Sequence, residues 1–97
     1  MMEFLVRIAI TLPHDVPSER ARDLTDRESE RARELAAEGR LIALWRVPGA
    51  RANVGLWRAV DATALHEALA SLPLFPYMDI AVEPLARHPS DPRSPSD

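Results

Sequence analysis

Residues 3–11 (EFLVRIAIT) alternate: Phe4, Val6, Ile8 and Ile10 share one face, and Glu3, Leu5, Arg7, Ala9 and Thr11 the other. That is the period of a half-buried strand. The loop 12–17 (LPHDVP) carries two prolines and leads into a long segment, 18–38, free of Gly and Pro and rich in Ala, Leu, Glu and Arg. Such a composition predicts a helix, with Ser18 as N-cap, Glu19 in the first turn and Gly39 as the stop. Its apolar stripe is thin: Ala21, Leu24, Ala32, Leu35 and Ala36. At about 100° per residue, Glu28 and Arg31 fall inside that stripe, on the face that should meet a sheet.

Residues 41–47 (LIALWRV) and 52–60 (ANVGLWRAV) read as two more strands joined by the turn Pro48–Arg51. In the later strand Val54 and Leu56 share one face and Asn53 and Trp57 the opposite one, while Gly55 predicts a bulge or a close approach. Two parities are open for 41–47. Either Leu41, Ala43, Trp45 and Val47 point toward the helices, or Ile42, Leu44 and Arg46 do. Asp61 caps a second helix, 62–72, with Ala62, Leu65, Leu69 and Leu72 on its apolar side.

The stretch Leu72–Asp79 (LPLFPYMD) follows, stiffened by two prolines and carrying two aromatics. It reads either as buried against a second subunit or a ligand, or as a corner filling its own core. Met78–Leu85 is the last strand, with Met78, Ile80 and Val82 on one face. Residues 1–90 make one domain, and the Pro-, Ser- and Asp-rich residues 91–97 are expected to be a disordered tail.

The order β-α-β-β-α-β is the ferredoxin-like arrangement, an α+β fold with two helices on one face of a four-stranded antiparallel sheet. The opposite face would then expose Leu5, Ala9, Trp57, Ala81 and Leu85, too apolar a patch to leave in water. A second copy packed sheet to sheet is the simplest cover.

Bulk composition narrows the rest. The chain has 97 residues, a formal charge of −3 and no cysteine. No disulfide framework or thiolate chemistry is available, and a reducing, cytoplasmic setting is expected. There is no basic footprint for nucleic acid and no run long enough for a membrane helix. His14, His66 and His88 lack metal-ligand spacing, so no metal is expected. Neither a glycine-rich phosphate loop nor a serine nucleophile motif occurs.

Glu28 carries the most information. A carboxylate between helix and sheet costs several kcal/mol unless it is paired or protonated. It is either the partner of Arg31, three residues on, or a general base kept partly out of water. If Arg46 shares its layer, the guanidinium could hold a substrate carboxylate through two parallel hydrogen bonds. The other parity would send Arg46, with Asn53, to the open face.

The motifs Leu44-Trp45-Arg46, Gly49, Ala52-Asn53, Leu65-His66, Leu72 to Ile80 (LPLFPYMDI) and Arg87-His88-Pro89-Ser90 strongly resemble the muconolactone delta-isomerase family, with the same spacing from about Phe4 to Ser90. The resemblance implies sheet-paired dimers in a ring-like decamer, no cofactor, and the conversion of muconolactone to 3-oxoadipate enol-lactone in the β-ketoadipate branch of aromatic catabolism. Glu28 matches the acidic residue of the family's first helix and is the candidate proton shuttle. Arg46 would bind the carboxymethyl anion, Asn53 or a backbone donor the lactone oxygen, and Phe75 and Tyr77 would wall the pocket. Two positions depart from the pattern: the family usually has histidine where Ala43 stands and tyrosine where Arg51 stands. Arg51 would add positive charge at the pocket mouth. The alternatives are a non-catalytic module binding small aromatic acids, or a related lactone enzyme that eliminates halide.

Overall fold

The computed structural model describes residues 1–93. Its elements are β1 (Met2–Ile10), α1 (Ser18–Ala37), β2 (Leu41–Arg46), β3 (Ala52–Ala59), α2 (Ala62–Ala70), a 3-10 turn (Phe75–Tyr77) and β4 (Met78–Leu85). The sheet runs β2-β3-β1-β4, all neighbours antiparallel. This is the expected ferredoxin-like α+β fold. Of the expected tail, residues 94–97 lie outside the described residues.

The alternation in β1 sets the core. Phe4, Val6 and Ile8 are buried, and with Leu35, Leu41, Trp57, Leu65 and Leu69 they form one apolar cluster between sheet and helices. α2 starts on the Asp61 side chain, which accepts the Ala64 N–H at 2.8 Å. α1 does not start on Ser18: the capping residue is Pro17, with no side-chain cap, and Ser18 is already helical. Gly39 ends α1 as expected. At φ 78° it lets its own N–H reach Ala36 O and the Arg40 N–H reach Leu35 O, a Schellman closure that L side chains resist. Ala36, assigned to the apolar stripe, is exposed. α2 ends at Ala70, and Leu72, expected within it, is buried just beyond.

Two sequence expectations about facing are overturned. Trp57 pairs with Phe4 across β1–β3 and is only 2% exposed, so it belongs to the core and not to the open sheet face. Asn53, opposite Ile8, turns the same way. The cause is register: the core-facing positions of β1 meet 53, 55 and 57, leaving Val54 and Leu56 outward. The parity of β2 resolves into neither alternative alone. Leu41 pairs with Trp57 and Ala43 with Leu56, so β2 spends two residues where β3 spends one. This bulge inverts the alternation within the strand. Leu41 before it, and Leu44 and Arg46 after it, therefore share the helix side.

Of the two readings for Gly55, the bulge sits on the neighbouring strand, while the close approach holds at Gly55 itself. A Cβ there would lie 2.7 Å from Trp57 Nε1 and 3.3 Å from Leu44 Cδ1. The outer sheet face carries Leu5, Ala9, Val54 and Leu56, half-buried, with Ala81 and Leu85 exposed. Among the described residues no helix is long and apolar enough to cross a membrane.

Candidate active site

Leu24 and Leu35, the buried residues of α1, pin that helix to the sheet, and Glu28 sits one turn beyond Leu24 on the same side. Its carboxylate is half-buried and does not meet Arg31. That arginine instead donates from Nε to Ser71 Oγ at 3.0 Å and from Nη1 to Glu34 at 2.9 Å. Ser71 Oγ donates its own proton to Ala68 O at 2.6 Å, so Arg31 clasps α1 to the end of α2. The structural pairing expected for Glu28 is therefore made by a different carboxylate.

What holds Glu28 is backbone. The Leu74 N–H donates to Glu28 Oε1 at 2.9 Å. Leu74 precedes the 3-10 turn, and its carbonyl accepts the Tyr77 N–H, closing that turn. The first N–H groups of any helical turn have no partner inside it, so Leu74 has a donor to spare. Pro73 and Pro76 fix the turn's direction, and burial of Leu74 anchors it. Burial raises the Glu28 pKa above its ordinary value of 4.5, and the Leu74 N–H opposes that rise without cancelling it. The other oxygen, Oε2, has no hydrogen-bond partner among the described residues.

Glu28 lines a cavity of about 610 Å³ between the first half of α1 and the β2–β3 hairpin. Ile10, Leu12, Ala21, Leu44, Trp45, Ala52 and Leu74 give it apolar walls. Its polar groups are Glu28, Asn53, Thr25, Ser29 and three arginines, Arg22, Arg46 and Arg51. Arg46 and Asn53 are direct cross-strand partners. The Asn53 side-chain oxygen is buried without a partner among the described residues, a state that costs roughly 1–3 kcal/mol. Arg22, Arg46 and Arg51 are exposed and, like Arg7, Arg20, Arg33 and Arg87, enter none of the ion pairs among the described residues; of all these, Arg22, Arg46 and Arg51 are the ones that line the cavity.

Of the residues singled out in the sequence, Glu28, Arg46, Asn53 and Arg51 thus come together. Phe75 does not join them. It lines a second cavity of about 460 Å³ between α2 and β4, edge-on to His66 with ring centroids 6.0 Å apart. Tyr77 lines neither cavity; its carbonyl accepts the Thr11 N–H at 2.9 Å. Ala43 falls within the β2 bulge, opposite Leu56 and away from the helices. Arg22, Thr25, Ser29 and the Leu74 N–H escaped the sequence reading. The spacing 21/22, 25, 28/29 is a helical ridge through Glu28 and could have flagged the side chains; a backbone donor leaves no such trace.

The bulge in β2 and the offset of α1 leave one carboxylate partly dry, with one oxygen held and the other without a partner among the described residues, beside three arginines. Carboxylate, amide and guanidinium can respectively move a proton, steady an oxyanion and hold an anion. Fold and site together define a small α+β protein equipped for proton transfer on an anionic ligand.

Residues 2–91 match the family model of muconolactone delta-isomerase. The muconolactone delta-isomerase of Cupriavidus pinatubonensis is 46% identical over 92 residues, covering 95% of this chain and all of the relative. That of Pseudomonas aeruginosa is 44% identical over 89 residues, covering 92% and 93%. A crystal structure of muconolactone isomerase superposes with a TM-score of 0.90 at 42% identity, covering 99% of this chain and all of the other. The chain belongs to the muconolactone delta-isomerase family.

Proposed function

We propose that this chain isomerises muconolactone to 3-oxoadipate enol-lactone, with Glu28 as the proton shuttle. The substrate's ring double bond is conjugated with the lactone carbonyl, so the proton on the ring carbon bearing the carboxymethyl arm is acidified through that system. Glu28 takes this proton, and the electron pair flows into a dienolate. Reprotonation at the carbon next to the carbonyl leaves the double bond moved by one position. A single carboxylate suffices because the proton that leaves and the proton that returns can use the same base in turn.

The observation that carries this reading is the state of Glu28. Its pKa is raised by burial, one oxygen is fixed by the Leu74 N–H and the other has no partner among the described residues, beside a cavity. A carboxyl poised nearer neutrality both accepts and returns a proton more readily than an exposed one. Arg46 holds the carboxymethyl carboxylate. The Asn53 amide, whose oxygen is the buried end, serves the lactone oxygen through its NH2.

Following the loss of muconolactone absorbance with purified protein tests the assignment. Glu28→Gln keeps an acceptor for the Leu74 N–H but has no exchangeable carboxyl proton, and kcat should fall by about 10²–10⁴-fold. A Gln variant within ten-fold of wild type would remove Glu28 from the mechanism.

The setting proposed with this activity is a cytoplasmic homo-oligomer, a decamer of sheet-paired dimers, working in the β-ketoadipate route of aromatic catabolism. The apolar residues of the outer sheet face support association. Sedimentation of a lone subunit of 10.8 kDa would contradict it.

A further inference from the structure

Charge is distributed unevenly around the Glu28 cavity. Three exposed guanidiniums, Arg22 on α1 and Arg46 and Arg51 on the hairpin, stand at its rim, and none is neutralised by a carboxylate among the described residues. Glu28 is the one carboxylate of the lining, and it lies inside, engaged with the Leu74 N–H. A ligand with one carboxylate uses one guanidinium fork and leaves two more cations in the lining against the single carboxylate of Glu28. Like charges brought together around a low-dielectric wall repel, and the arrangement gains most from a ligand that supplies a second anion. The space agrees. A cavity of about 610 Å³ is in the range that accepts drug-sized molecules, and a butenolide ring with one short arm leaves much of it to water.

We propose that Arg22 and Arg51 form a second anion subsite, and that the preferred substrate is a muconolactone-type lactone carrying a second acidic group on its ring. This rests on the isomerase reading for the reaction but not for the binding. Arg46 takes the carboxymethyl arm, while Arg22 from α1 and Arg51 from the β2–β3 turn take the added group. The second group must sit on a ring carbon that neither gives up nor receives the proton, which leaves the carbon between those two.

The test compares muconolactone with its analogue bearing a carboxylate at that middle ring carbon. Calorimetry on Glu28→Gln protein reads binding without turnover, and wild-type kcat/KM reads selection. The diacid should bind at least ten-fold more tightly than the monoacid at low salt, with a steeper loss on adding salt. Arg51→Met and Arg22→Met should each cut the diacid-to-monoacid preference at least three-fold. The wild-type salt dependence of KM gives the same comparison without any substitution.

Equal or weaker binding of the diacid overturns the subsite, as does a preference that survives both substitutions. If wild type isomerises muconolactone yet shows no diacid preference, the subsite falls and the isomerase reading stands. If the diacid binds preferentially and neither lactone turns over, the subsite stands and the isomerase reading falls.

Discussion

Two cavities open between the helices and the same sheet face, similar in size and opposite in character. The one between α1 and the β2–β3 hairpin collects Glu28, Asn53 and three arginines. The one between α2 and β4 is lined by Phe4, Ala62, Leu65, Leu69, Phe75, Met78, Ile80 and Val82, with His66 as the polar side chain among them. Their difference follows from the elements that wall them. α2 is short and apolar on its inner side, with Leu65, Ala68 and Leu69 buried. α1 is long and charged, and its inner stripe has gaps into which polar side chains fall. Space alone therefore does not mark the site; a polar group denied its water does.

If that division holds, substitutions should separate stability from activity. The largest effect expected is on stability. Leu69 is buried at 3% exposure and lines the apolar cavity, so Leu69→Ala should cost about 2–5 kcal/mol in denaturant unfolding, as large-to-small core changes do. KM for muconolactone should stay within two-fold. A Leu69→Ala variant that folds with unchanged stability but loses substrate affinity would assign the ligand to the apolar side.

A smaller effect concerns the clasp between the helices. The Arg31–Ser71 bond and the Leu74–Glu28 bond are both contacts of α1 with the segment after α2, one helical turn apart. Ser71→Ala removes the first and loosens the second. Losing one such bond is worth about 0.5–1.5 kcal/mol, or a few-fold to ten-fold in kcat if alignment of Glu28 depends on it. The Leu74 N–H lowers the Glu28 pKa, so its weakening should also move the acid limb of the kcat profile to higher pH. Glu28 is the one carboxyl in the lining of that cavity, beside Arg22, Arg46 and Arg51. Ser71→Thr, which keeps the hydroxyl, should restore both. A drop in kcat with no shift of the limb would mean that the clasp supports the fold and does not align the carboxylate.

The fold was legible because its signals are local. Alternation in 3–11, the Asp61 cap, the Gly39 stop and the order of elements all survive in the structure. What failed was pairing across strands. The faces of β3 depend on its register against β1, and those of β2 on an extra residue that periodicity cannot see. The same two features carry Asn53 and Arg46 to the helix side, whereas periodicity leaves Arg46's company with Glu28 as one of two options and puts Asn53 on the open face. Phe75 and Tyr77 were drawn to the site by their aromatic rings. The chain uses the loop differently, placing the Leu74 backbone at Glu28 and the Phe75 ring in the other cavity.

The smallest effect, and the one that tests the premise most directly, is the pH dependence of stability. The Glu28 pKa is raised in the folded chain relative to its ordinary 4.5, chiefly by burial. Below 4.5 both folded and unfolded chains hold the proton, and Glu28 contributes no pH dependence. As pH climbs from there to the raised folded value, the unfolded chain ionises first, so stability falls across that window and stays reduced above it. Glu28→Gln keeps the acceptor for Leu74 N–H and removes the charge. It should therefore be more stable than wild type at neutral pH, with the advantage vanishing near pH 4. Thermal unfolding of the two proteins across that range measures the difference. A wild-type protein more stable than the Gln variant at pH 7 would mean that ionised Glu28 is well solvated or paired, and the apolar and polar cavities would then differ in composition without differing in what they can do to a proton.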